Sequence, residues 1–142
     1  MEHALYVVWM AKQAWPFMFD NRQINITTAL FAAVAVAVVF NFPFRRSRFQ
    51  RRHMLVFAPL IVTILILVWG SIMRHDDYQT LAPTWPYYTL NSLLAAQMLI
   101  GIGSVWAMKG YRWFALAVVL LEAWFGWWCT FIAAMSVTGD WL

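Results

Sequence analysis

Charge is scarce in this chain: Asp, Glu, Lys and Arg make up 11% of its 142 residues. An ordinary soluble domain carries about 25% charged residues, so a water-exposed globular surface of this size is excluded. Disorder is excluded by the opposite excess. Hydrophobic residues make up 63% of the chain, and a disordered chain needs low hydrophobicity. The single Cys, Cys129, rules out an internal disulfide and a multi-thiolate metal centre. Histidine is equally sparse. His3, His53 and His75 fall at the ends of apolar runs or between them, where they cannot ligate a haem inside a helical bundle. No P-loop, dinucleotide fingerprint, HExxH or GxSxG motif occurs. No catalytic, metal or cofactor residue is assigned, and the chain is read as a non-enzyme.

What the chain does have is long apolar stretches. A helix needs about 20 mostly apolar residues to cross the hydrocarbon core. Four stretches qualify, at about 24–42, 54–73, 87–108 and 113–138. They are apolar on every face and do not alternate, which favours helices over barrel strands. The expected fold is an all-α integral membrane protein, with four transmembrane helices in two hairpins forming a single membrane domain over residues 1–142. Residues 4–19 come first. They are apolar and aromatic, with Trp9, Trp15, Phe17 and Phe19, but the segment is short, carries Lys12 and meets Pro16. It is expected to be a helix in the membrane interface, with insertion into the membrane as the alternative.

The charges that exist are segregated. The connection before the second span holds Arg45, Arg46, Arg48, Arg51 and Arg52, and the connection before the fourth holds Lys109 and Arg112. Neither contains an acid. The remaining connections and ends hold Lys12, Arg22 and Arg74 against Glu2, Asp20, Asp76, Asp77 and Asp140. The positive-inside rule places both basic connections in the cytoplasm of a cell with an inner (plasma) membrane, and the C-terminus outside. The arginine run is also a candidate docking surface for anionic lipid or a partner, at about 1 kcal/mol per basic residue near an anionic leaflet. Nucleic acid is not an expected partner, since the basic patch is short and lies against the bilayer.

One acid remains, Glu122, within Leu120-Leu121-Glu122-Ala123-Trp124. It lies about 15 Å past Arg112 along a helix, near mid-depth. An ionised carboxylate there costs at least about 2.5 kcal/mol, so it must be protonated, paired or wet. Counting back from the turn at Lys109-Gly110-Tyr111 reaches Gln97 on the third span at the same depth. Thr63 on the second span falls in the same layer. Glu122, Gln97 and Thr63 are therefore expected to form an intramembrane polar layer, with Gln97 reaching Glu122 across the hairpin. Either they are hydrogen-bonded glue between helices, or Glu122 binds a proton or cation. The Gly101-Ile102-Gly103 step is a candidate helix break, with a packing notch as the simpler reading.

Gly126, Cys129 and Ala133 continue the Glu122 face and are expected to form a small-residue seam for a neighbouring helix. Trp124, Trp127 and Trp128 flank it as candidate ring-packing residues. Asn25 is expected to cap the first span. Glu2, His3, His75, Asp76 and Asp77 gather on the outer side, where a solvated loop is expected ahead of a metal site.

These features lead to an expected role as a non-catalytic accessory subunit of a larger, energy-converting inner-membrane complex, with membrane lipids and other membrane subunits as partners and hetero-oligomers favoured over homo-oligomers. The alternatives are a small homo-oligomeric proton-coupled transporter using Glu122, and a quinone, pigment or structural-lipid site shared with a partner subunit.

Overall fold

The computed structural model describes residues 2–20, 23–41, 51–75 and 83–139. Within them the chain forms five α-helices and no strand: α1 (Glu2–Met18), α2 (Ile24–Asn41), α3 (Ala58–Ile72), α4 (Trp85–Ala107) and α5 (Arg112–Thr138). A 3-10 segment, Arg51–Phe57, leads into α3. Three stretches are long and apolar enough to cross a membrane: Met54–Ile72, Trp85–Ala107 and Arg112–Thr138. Ile24–Val39 is a shorter apolar helix.

Local chemistry sets the helix ends. Pro59 and Pro86 stand in the first turns of α3 and α4, where a missing N–H costs nothing. Gly139 closes α5 in the left-handed region at φ 76°, donating to Met135 O, a conformation that glycine adopts without strain. Gly110, at φ 91°, does the same for the α4–α5 turn. Pro16 lies in the last turn of α1 and cannot donate to the carbonyl of Lys12; α1 ends two residues later.

α5 is the central helix and packs against every other one. It runs parallel to α3, and the two approach closely where Gly70 meets Ala133. A Cβ on Gly70 would come within 2.7 Å of the Ala133 Cβ. α4 runs antiparallel between them. Six residues before its end Gly101 meets Val119, whose Cγ1 would lie 2.6 Å from an added Cβ. α4 is continuous across Gly101–Gly103, so this step is a packing notch and not a break.

α1 does not lie across the end of the bundle. It runs lengthwise, antiparallel to α3. His3 Nδ1 bonds Ser71 Oγ at 3.2 Å at one end, Val7 faces Leu67 in the middle, and Met18 reaches Phe57 and Leu60 at the other. Met10, Ala14 and Met18 are buried and pack with Leu67, Cys129 and Ile132. This stripe of small and flexible residues, spaced four apart, fits α1 between α3 and α5.

α1 and α2 divide the length of α5 between them. Along α1, Tyr6 meets Ser136, Met10 meets Cys129, and Met18 reaches Leu121 and Glu122. Along α2, Thr27 meets Trp124, Val34 packs with Ala115 and Val118, and Ala37 shares a groove with Trp113. The two helices therefore lie in tandem, both antiparallel to α5, with an interruption beside the middle of α5. The join is held by Thr27. Its hydroxyl donates to Met18 O at the end of α1 and accepts from Trp124 Nε1 at 3.1 Å. Asn25 lies inside the first turn of α2 and does not cap it; Ile24 N donates instead to Asp20 O.

Candidate functional site

The hairpin of α4 and α5 brings Gln97 to Glu122, as the matching distances from Gly110 require. Both are buried, at 2% and 6% exposure. The contact is made with the backbone, however. Gln97 Nε2 donates to Glu122 O at 3.2 Å, and its amide rests on Gly126, where a Cβ would overlap it. Both carboxylate oxygens of Glu122 and the Gln97 Oε1 are buried without a hydrogen-bond partner among the described residues. Thr63 is buried in the same bundle but donates to Pro59 O, four residues back on its own helix, at 3.4 Å. The polar layer is thus a single side chain–backbone bond beside an unbonded carboxyl.

Glu122 stands in the wall of a cavity of about 290 Å³ that no sequence pattern indicated. The cavity sits at the α1–α2 interruption and is bounded by Trp15 and Met18 of α1, Phe31 of α2, Phe57, Leu60, and Val118, Leu121 and Phe125 of α5. Among the described residues, Glu122 is its only titratable lining residue. Trp15, Phe31 and Phe57 are 54%, 42% and 46% exposed, so the mouth opens sideways between α1, α2 and the start of α3. A second groove, about 540 Å³, continues along α1 and α3 and shares Trp15, Leu60 and Phe125 with the first. Lys12 lines this groove, and its side chain is exposed.

No family model, curated protein or solved structure matches this chain. Its function must be argued from the site.

The tryptophans take separate places. Trp124 bonds Thr27 and packs edge-on against Trp128. Trp128 stacks on Phe17 at 5.6 Å, with its Nε1 buried and unbonded. Trp127 is 54% exposed and borders a small cleft with Tyr87 and Thr130. None of the three borders the Glu122 cavity; Trp15 of α1 does. The small-residue seam of α5 is consumed inside the chain: Gly126 receives Gln97, Cys129 packs with Met10, and Ala133 meets Gly70. A seam of small residues marks a close helix contact but not which helix supplies it.

At the end shared by Glu2 and Gly139, a polar network closes the bundle. Tyr6 Oη and Ser136 Oγ are 3.0 Å apart, Ser136 Oγ donates to Gly70 O, and Arg74 lies 4.7 Å over the Tyr6 ring. His3 belongs to this network through Ser71. Among the described residues no group of three metal-ligating side chains occurs; Asp76 and Asp77 lie outside them. Arg45, Arg46 and Arg48 also lie outside the described residues, while Arg51 and Arg52 begin the 3-10 segment. That segment sits at the α4–α5 turn, where Ser104 Oγ donates to Leu55 O at 2.9 Å. Arg51, Arg52, Lys109 and Arg112 therefore share one end of the bundle.

Proposed function

We propose that this chain is a small proton-coupled transport protein of the inner membrane, with Glu122 as its coupling carboxyl. The observation that carries the reading is a buried carboxyl with neither oxygen bonded among the described residues, in the wall of a laterally open cavity at the join of two helices that lie end to end along α5. Intramembrane acids mark ion and proton pathways. Interrupted helices at mid-depth are where many transporters place their binding sites. In this reading α1 and α2 together make one crossing, the basic end faces the cytoplasm, and Glu122 exchanges a proton for a solute as the cavity opens and closes.

The accessory-subunit reading has one observation of its own. A groove of about 440 Å³ runs between α2 and α5, floored by Ala33, Ala37 and Ala117 and edged by Trp113. Small residues of this kind accept a partner helix closely. A quinone or structural lipid held there, shared with the partner, would belong to the same reading.

Proton-driven uptake by vesicles carrying the full chain tests the first reading. Flux should vanish in E122Q while the helical circular dichroism signal persists. Equal flux in E122Q removes Glu122 as the coupling group. A foreign subunit that co-purifies in stoichiometric amount would support the second reading instead.

A further inference from the structure

We infer that the Glu122 cavity takes a hydrophobic organic ammonium, entering sideways from the bilayer between α1, α2 and the start of α3. The inference rests on Glu122 being a binding carboxyl and names what it binds. The walls require an apolar body, because apart from Glu122 every lining residue is hydrophobic or aromatic. Four of them, Trp15, Phe31, Phe57 and Phe125, carry rings, and aromatic walls attract organic cations through the ring quadrupole. Among the described lining residues the only acceptor side chain is a carboxyl, the other polar group being the indole N–H of Trp15. The carboxyl repels anions, and it supplies the counter-charge an ammonium needs in a low-dielectric site. A neutral carbonyl compound would need donors, and beside the acid the described walls add only the indole N–H of Trp15. The volume, about 290 Å³, is at the small end of the range of ligand pockets.

Both carboxyl oxygens are covered in the present arrangement, so binding requires a side-chain rearrangement. Met18, unbranched and in the cavity wall, is the residue type that yields most readily. Lys12 borders the adjoining groove. Its positive charge disfavours a second ammonium there, which keeps the cation on the Glu122 side of Trp15.

The test uses the full-length protein in nanodiscs of zwitterionic lipid, with empty nanodiscs as the control for partition. Phenylbutylamine is the probe and pentylbenzene its uncharged analogue. Equilibrium dialysis should show the amine binding in excess of the control and weakening by about tenfold or more in E122Q, the loss expected for one charge-assisted contact. Pentylbenzene binding should not respond to E122Q. E122D, which keeps the charge on a shorter arm, should fall between wild type and E122Q and covers the case in which E122Q does not fold. K12M should leave amine binding equal or tighter. Equal amine affinity in wild type and E122Q, or a loss in K12M, overturns the inference. If the amine binds through Glu122 but vesicles show no proton-driven flux, the transport reading fails and the ligand class stands. If flux depends on Glu122 but the amine does not bind, the ligand class fails alone.

Discussion

Gln97 donates its side-chain amide to the backbone carbonyl of Glu122, and the Glu122 carboxyl is left with no partner among the described residues. A glutamine one helix away from a buried acid would be expected to neutralise its need for hydrogen bonds. Here it braces the helix that carries the acid, and the acid stays available. The small face at Gly126 makes this geometry accessible, since the amide occupies the space of a missing Cβ.

Replacing Gln97 with Leu should therefore weaken the α4–α5 contact, by about 0.6 to 1.7 kcal/mol, the range measured for side-chain hydrogen bonds between membrane helices. Gly126→Ala should displace the same amide and destabilise in the same direction. Because the two changes remove one contact, the double variant should lose less than their sum. Unfolding in mixed detergent, followed by circular dichroism, gives all three values.

The glycines should respond unequally. Gly70→Ala drives a methyl into Ala133 between two backbones that have little room to part, and overpacking of this kind costs about 1–3 kcal/mol. Gly103→Ala meets nothing within 4 Å and replaces the weaker helix former, so it should be neutral or stabilising by up to about 1 kcal/mol. The difference in thermal midpoint between the two variants checks the α3–α5 packing.

Much of this arrangement was legible in the sequence. The four apolar runs appear as four apolar helices, with ends within two residues of Pro59, Pro86 and Gly139 wherever those residues force them. The depth of Gln97 and Glu122 followed from helical rise on either side of Gly110. What the sequence could not supply was rotation and partner choice. Rise gives depth, but only packing decides whether Gln97 meets a carboxyl or a carbonyl. Thr63 carried an overlooked signal: a threonine in a helix readily bonds back to the carbonyl four residues earlier, and it does so to Pro59. The interfacial reading of α1 rests on its shortness, Lys12 and Pro16, whereas its packing comes from Met10, Ala14 and Met18 fitting a slot made by two distant helices. The cavity residues Trp15, Phe31 and Phe57 lie on three different elements, and no local pattern joins them to Glu122.

Thr27 ties α1 and α2 to α5. Thr27→Val keeps the shape and removes both hydrogen bonds, leaving the Trp124 indole N–H unpaired. Amide exchange should speed up at residues 15–31 and remain slow in α3 and the second half of α5. Uniform exchange across the protein would contradict the assignment of Thr27 as the clasp between α1 and α2.

The course of the chain gives an orientation pattern. Single cysteines at positions 3 and 138, in a Cys129→Ser background, should react with a membrane-impermeant maleimide from one side. A cysteine at position 109 should react from the other. Labelling of positions 3 and 138 from opposite sides would mean that α1 and α2 each cross fully and are not in tandem.

The most direct test concerns access to Glu122 itself. A lipid-soluble carbodiimide reacts with a protonated carboxyl that it can reach from the bilayer, and mass spectrometry of the intact and digested protein locates the adduct. The expected result is one adduct at Glu122, slowed by Phe31→Trp, which adds bulk at the mouth, and absent with a water-soluble carbodiimide. No adduct at Glu122 with the lipid-soluble reagent, or equal modification by both reagents, would contradict a carboxyl that is reached from the bilayer through the cavity once the covering side chains yield, and not from water.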